Sequence, residues 1–319
     1  MSSLKLIVQI PAYNEEKSIK EVIREIPRKI RGIGKVEVLV IDDGSKDNTS
    51  QAAKAAGADY VLRNPKNQGL AYTFQKGLNE ALKLGADIIV TTDADFQYDQ
   101  KEIPYLIQPI LEGKADIVSG NRKVETLAHM IGAKKYGNII GSKVVKISAG
   151  YDIIDASSGF RAYSREAAMK LFVLSKHTYT HETLIQAGHK NLKVVEVPVT
   201  FRKREGHSKL IKSVSSHIKK SLSTIVRNIL MYNSLKFFSY LGMILLVLGL
   251  IPMVRWFYLS YIAYQPGAHI QSLLIGIVLM VFGGLSILIG LIADLLAINR
   301  RHLEEILYHV KKLDFDKER

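Results

Sequence analysis

An α/β fold built on a mainly parallel sheet is expected from three observations in this 319-residue chain. Short apolar, β-branched runs alternate with stretches of helical spacing from the N-terminus onward. Several of those runs end abruptly in polar, turn-forming clusters, where ligands gather in sheets of this kind. From about Lys236 onward the chain changes character, and apolar residues dominate in segments long enough to meet a membrane.

Element by element, Leu4–Ile10 reads as a buried strand and Glu15–Arg31 as an amphipathic helix. Val36–Ile41 is a second strand, Ser50–Ala56 a helix and Tyr60–Leu62 a short third strand. Leu70–Leu84 is helical by spacing, and Asp87–Thr92 and Ala115–Gly120 continue the sheet. A basic, glycine-containing helical stretch covers Thr126–Ser148. Phe160–Tyr163 is strand-like, a helix starts at Arg165, and Val194–Phe201 is one more strand. Pro198 interrupts it, which suits a sheet edge.

Between residues 208 and 232 apolar side chains recur at helical spacing (Leu210, Ile211, Val214, Ile218, Leu222, Ile225), with lysine and serine opposite. That pattern is expected to lie in the membrane interface. Phe237–Val254 is apolar for 18 residues, or about 27 Å of helix, just enough to span a bilayer. Arg255 can snorkel outward among Trp256, Phe257, Tyr258, Tyr261 and Tyr264. Ile270–Ala293 is the second candidate span. The loop around Pro266 carries no Lys or Arg, whereas both flanks are basic, so both ends of the hairpin are expected in the cytoplasm. The expected organisation is therefore a catalytic domain over 1–210, juxtamembrane helices over 211–236, two spans within 237–296 (about 237–259 and 270–294), and a tail helix over 297–319. The chain opens Met-Ser-Ser-Leu-Lys and enters a strand pattern directly, so no signal peptide is expected.

The net charge of +14 is concentrated between Arg202 and Lys236, where Glu205 is the single acid. Because this run leads straight into an apolar segment, anionic lipid head groups rather than nucleic acid are its expected partner. There is no cysteine, which excludes disulfides, zinc–thiolate sites and thiol catalysis.

The chemistry sits at the strand ends. The first strand ends in Pro11-Ala12-Tyr13-Asn14-Glu15, the second in Asp42-Asp43-Gly44-Ser45, and the fourth in Asp93-Ala94-Asp95-Phe96-Gln97. Two carboxylates and an amide oxygen form a hard, oxygen-rich set suited to Mg²⁺ or Mn²⁺ carrying a substrate's phosphates. No Gly-x-Gly-x-x-Gly follows the first strand and no Walker lysine loop is present, so dinucleotide-binding and P-loop readings fail.

This series, with Asn67-x-Gly69, resembles the motifs of family 2 glycosyltransferases, which have the GT-A fold. Gly120-Asn121-Arg122, Asp155-x-x-Ser158-Gly159-Phe160-Arg161, Glu196-Val197-Pro198 and Arg204-x-Gly206-x-Ser208-Lys209 are similar to the dolichol-phosphate mannose synthase branch and related polyprenyl-phosphate glycosyltransferases. The resemblance covers residues 4 to about 211. It implies that Pro11, Ala12, Tyr13, Glu15, Asp43 and Ala94 serve the nucleotide of a nucleotide-sugar, with Asp93 on the metal-bound diphosphate. Asp95 and Gln97, with Asp93, would hold the cation, and Arg122 would sit near the diphosphate and the acceptor phosphate. In mannose synthases a second arginine lies four residues before a serine; Lys134 and Asn138 take those places here. A further acceptor cation is drawn from Arg202, Lys203 and Arg204, with Arg204 favoured and Lys209 nearby. Asp155, Ser158 and Glu182 would support the site.

Independently of any resemblance, a lipid phosphate acceptor is already anionic and needs cations to position it rather than a general base. In-line attack would invert the anomeric carbon. A hydroxyl acceptor would require a carboxylate base, for which Glu182 in Thr180-His181-Glu182-Thr183 is the candidate. The expected partners are thus a nucleotide-sugar, a dolichyl or polyprenyl phosphate and the bilayer; a homo-oligomer is compatible with the sequence.

Overall fold

The computed structural model describes residues 4–124, 142, 145–146, 149–173, 179–202, 234–263 and 269–317. The chain divides into two compact units, Met1–Ile225 with Glu304–Arg319, and Val226–Leu303.

The first unit is built on a seven-stranded sheet in the order β3-β2-β1-β4-β6-β5-β7. Its strands are β1 (Leu4–Ala12), β2 (Ile33–Asp42), β3 (Tyr60–Arg63), β4 (Ile88–Thr91), β5 (Ile117–Asn121), β6 (Arg161–Ser164) and β7 (Val194–Pro198). Pairing is parallel except at β6, which runs antiparallel to both β4 and β5. The helices are α1 (Ile19–Glu25), α2 (Thr49–Ala55), α3 (Leu70–Lys83), α4 (Ile103–Leu111), α5 (Arg165–Lys170) and α6 (Thr180–His189).

Strand alternation divides the core into two layers. Leu6, Val8 and Ile10 of β1 point to a cluster with Ile19 and Val22 of α1 and Leu106 and Ile107 of α4. Ile7 points the other way, to Phe74, Leu78 and Leu82 of α3 and to Ala167 and Ala168 of α5. Period-two side chains on a sheet covered on both faces give this split directly. Helix α1 is shorter than the spacing over Glu15–Arg31 predicts. Its C-cap Ile26 is extended (ψ 120°) because Pro27 follows and disfavours the helical region before it.

The second unit contains α7 (Ser234–Phe257), a turn of π-helix (Tyr258–Ile262) and the apolar part of α8 (Ile270–Lys317). Both apolar helices are long enough to cross a membrane. They pack through glycines seven residues apart. A Cβ at Gly242 would lie 2.7 Å from the Gly283 carbonyl, and one at Gly276 2.9 Å from the Gly249 carbonyl. Small residues let transmembrane backbones approach closely. Gly284, the next residue after Gly283, has open space around its Cβ position instead. Gly249→Leu should therefore destabilise the hairpin by about 1–3 kcal/mol through overpacking. Gly284→Leu should stay within about 0.5 kcal/mol. Unfolding of the two variants in the same bilayer or detergent measures the difference, and equal losses would refute the packing.

The helix that carries the second apolar segment continues without a break through the tail to Lys317. No Gly or Pro follows Gly290 before the end of α8, so nothing breaks it. Its C-terminal part, Glu304–Arg319, belongs to the first unit. Phe315 is buried in the layer of α3 and α5. Tyr308 donates to Glu166 at 2.8 Å, Glu304 pairs with Lys190 at 2.8 Å, and the Phe315 carbonyl accepts from Arg165 at 3.1 Å.

Candidate active site

Because β6 is antiparallel, its first residue lies at the same sheet edge as the last residues of β1, β2, β4, β5 and β7. Thr91 is level with Arg161, Ala12 with Asp42, and Asn121 with Pro198. One edge therefore gathers residues 11–15, 42–49, 63–69, 92–98, 121–122, 154–160 and 199–202.

At the β1–β2 end the loops hold one another. Asn14, at φ 54°, receives the Lys46 N–H on its side-chain oxygen at 2.7 Å, and its own N–H goes to Ser45 at 2.9 Å. The Glu15 N–H goes to Thr49, and the Glu15 carboxylate takes the Ser18 hydroxyl at 2.9 Å. Tyr13 is half-buried. Asp43, expected at the nucleotide, accepts from three protein donors: Asn64 Nδ2 at 2.9 Å, Gln68 N at 2.9 Å and Gly69 N at 2.8 Å. It shapes the 64–69 loop, which accounts for the Asn67-x-Gly69 motif. Gly44 is needed beside it: at φ +72° a Cβ would come within 2.7 Å of the Lys66 carbonyl carbon.

The acid pair follows β4. Asp95 Oδ1 accepts the Gln97 N–H at 3.2 Å, closing a turn that holds Phe96 at φ 60°. A bulky residue in the left-handed region is a strained arrangement that surrounding contacts must enforce. Here the enforcing contacts come from the chain after β7. The Arg202 N–H donates to the Gln97 carbonyl at 2.7 Å, and Gln97 Nε2 donates to the Arg202 carbonyl at 3.2 Å. Arg202 lies over the Phe96 ring at 4.6 Å. Asp93 faces Gly159, where a Cβ would stand 2.9 Å from Oδ2 and 3.0 Å from Oδ1.

Arg122 follows β5 and is almost fully enclosed. Its Nε and Nη2 donate to the two oxygens of Asp155 at 2.7 and 2.8 Å, Nη2 also reaches Ser157 at 2.6 Å, and the guanidinium lies 5.1 Å from the Phe201 ring centre. Burial opposes its charge, but Tyr98, Asp155 and Asp93 outweigh that and raise its pKa, so it stays cationic. Ser158 is buried against Tyr98, whose hydroxyl accepts the Gly159 N–H at 3.0 Å. Burial pushes the Tyr98 phenol up to about 12, with Asp93 adding to the effect.

Arg202, one of three cations expected at an acceptor phosphate, is paired with two acids. It forms a two-pronged pair with Glu25 (2.9 and 2.8 Å) and a second with Asp99 at 3.1 Å. Glu182 is buried in α6 and accepts from Gln186 at 3.4 Å. Lys134, Asn138, Lys203, Arg204, Lys209 and the expected interfacial helices lie outside the described residues. Among the described residues no cluster of three His, Asp or Glu side chains is poised for a metal. The candidate set is two carboxylates and one amide.

The residues that sequence reasoning missed are Tyr98, Ser157, Gly159, Arg161 and Glu196. Tyr98 directly follows Gln97, and Gly159, Arg161 and Glu196 stand in the quoted motifs without a role. Arg161 is fully buried and donates to the carbonyls of Thr180 and Ala156 at 2.7 and 2.8 Å and to Thr183 at 2.9 Å. It joins the 155–159 loop to α6.

A mixed sheet with acids and an enclosed arginine along one edge agrees with the GT-A fold of glycosyltransferases. The sequence model described as Glycosyl transferase family 2 matches residues 7–172, and the chain belongs to that family. A UDP-N-acetylglucosamine–dolichyl-phosphate N-acetylglucosaminyltransferase of Methanococcus voltae is 32% identical over 223 residues, which cover 62% of this chain and 86% of that one. The dolichol-phosphate mannosyltransferase of Pyrococcus furiosus is 34% identical over 218 residues, covering 65% of this chain and 59% of the relative. The undecaprenyl-phosphate mannosyltransferase of Micrococcus luteus is 28% identical over 218 residues, covering 65% and 88%. Such relatives put the chain in the polyprenyl-phosphate branch of the family. Among solved structures, glucosyl-3-phosphoglycerate synthase from Mycobacterium tuberculosis with Mn²⁺, UDP-glucose and phosphoglyceric acid shares the fold. Its TM-score is 0.56 at 21% identity, over 71% of this chain and 80% of the other.

Proposed function

We propose that this protein transfers one sugar from a nucleoside diphosphate to the phosphate of a polyprenyl or dolichyl lipid at the cytoplasmic membrane face. The observation that carries the reading is the meeting of Asp93, at the end of β4, with the Ser158-Gly159 turn and with Arg122 across one sheet edge. Acids for the donor and a cation for phosphate thus share one cluster of loops. The names of the relatives and the two apolar helices support a lipid-linked acceptor.

Asp93, Asp95 and Gln97 would hold a divalent cation. The donor set fits, because Gln97 Nε2 is already given to the Arg202 carbonyl, which leaves Oε1 as the amide's open acceptor. Hard oxygens in this small number suit Mg²⁺ or Mn²⁺ that keeps waters and substrate oxygens as further ligands. Bound there, the cation would act as a Lewis acid on the departing diphosphate. Arg122, held charged, is positioned to take phosphate oxygens. A lipid phosphate oxygen attacks the anomeric carbon, the bond from that carbon to the diphosphate breaks, and the configuration inverts. No proton has to be removed, which agrees with Glu182 lying packed against Gln186 inside α6.

Purified protein in liposomes, with polyprenyl phosphate, Mn²⁺ or Mg²⁺ and labelled GDP-mannose, UDP-glucose and UDP-N-acetylglucosamine, tests this. One donor should give an acid-labile lipid-linked sugar, and the non-phosphorylated polyprenol should give none. No product with any donor would overturn the reading. Equal product from polyprenol or a glycan would favour hydroxyl transfer with Glu182 as base.

A further inference from the structure

Glu196 lies on the edge strand β7, yet its carboxylate is engaged with the active-site loop before β6. Oε2 accepts the Ile154 N–H at 2.8 Å and Oε1 the Asp155 N–H at 2.9 Å. Two consecutive amides are thus gripped by one side chain. The grip falls on the residue whose own carboxylate holds Arg122 by Nε and Nη2. The Arg122 N–H also goes to Asp155, at 3.1 Å. With Nε and Nη2 occupied and one guanidinium face against Phe201, Nη1 is the edge of Arg122 without a protein partner among the described residues.

We propose that Glu196 is a positioning residue: by clamping the 154–155 backbone it sets Asp155, and through Asp155 it aims Nη1 of Arg122 at substrate phosphate. This rests on Arg122 being a phosphate ligand, as in the function proposed above. Ionisation is essential to the grip, because a carboxylate offers two acceptors whereas a carboxylic acid turns one oxygen into a donor facing an N–H. The charged and titratable groups facing Glu196 are Asp155 and Tyr151 from the loop and Arg161 from β6. Burial raises its pKa above the usual carboxylate range; the two N–H donors and Arg161 oppose that, and Asp155 adds to it. The clamp is accordingly lost as pH falls through that raised value.

Full-length Glu196→Gln tests the proposal, since an amide of the same shape must present its NH₂ to one of the two N–H groups. Its kcat should fall roughly tenfold to fiftyfold, and its affinity for farnesyl phosphate or inorganic pyrophosphate roughly tenfold. Affinity for Mn²⁺–UDP or Mn²⁺–GDP and the melting temperature should hardly move. Adding Glu196→Gln to Asp155→Asn should cost little more than Asp155→Asn alone. The acidic limb of the wild-type kcat profile should be missing from Glu196→Gln. Unchanged kcat and anion affinity would overturn the proposal, and so would full additivity with Asp155→Asn. A parallel loss of nucleotide affinity and melting temperature would also overturn it, by showing a merely structural role. A wild type that makes no lipid-linked sugar fails the proposed function alone, because anion binding still decides for or against Glu196. Wild-type protein that binds neither anion overturns the clamp.

Discussion

Asp95→Asn should lower sugar transfer by roughly a hundredfold to a thousandfold, on the order of 3–4 kcal/mol of barrier. Asparagine keeps an oxygen that can accept the Gln97 N–H, so the turn around Phe96 should survive. What disappears is one of only two carboxylate charges in the candidate cation set. A site that small relies on each charge, since Mg²⁺ gives up water reluctantly. Mn²⁺ titration followed by electron paramagnetic resonance should show weaker binding, and raised Mn²⁺ should restore part of the turnover. Wild-type turnover and wild-type Mn²⁺ affinity in the variant would remove Asp95 from the cation site.

Gly159→Ala should be nearly as damaging, although it adds one methyl group. The added Cβ would sit 2.9 Å from one Asp93 oxygen and 3.0 Å from the other. The loop cannot easily retreat, because the Gly159 N–H is held by Tyr98 and its carbonyl by Tyr179. The Asp93 carboxylate must therefore turn away. Misplacing a reacting group by about 1 Å costs roughly a hundredfold in rate, so kcat should drop by about that factor. Stability should change by only about 1 kcal/mol, at the mild end of overpacking. Paired kinetics and thermal melts read the two effects separately. Full activity would show that Asp93 tolerates displacement and is not part of the chemistry.

Both expectations begin from features visible in one dimension. Apolar β-branched runs ending in Pro11-Ala12-Tyr13, Asp42-Asp43 and Asp93-Ala94-Asp95 reveal parallel strands and their ligand-binding edge, because strand period and turn chemistry are local. The two apolar helices are equally plain, since length and composition suffice to find them. Pro198 marked β7 as an edge, and β7 ends the sheet.

Partner choice was not visible in this way. Arg122 and Arg202 are alike as letters, yet one is held by Asp155 inside the acidic edge and the other is spent on Glu25 and Asp99. Asp43 is expected at a nucleotide, and only the fold shows that it also organises the 64–69 loop. Long-range pairing decides such matters, and separations such as the 177 residues between Glu25 and Arg202 leave no periodic trace. The same holds for Gly159, whose missing side chain matters only because β6 inserts antiparallel between β4 and β5 and brings it against Asp93.

The tail shows the division once more. Its helical pattern was evident, but its continuity with the second apolar helix and the burial of Phe315 were not. Local chemistry thus determined the strands, the spans and the acids of this glycosyltransferase. Which charges remain open to a substrate was decided by tertiary contacts, because a charge is available only where no neighbour in the folded chain has already neutralised it.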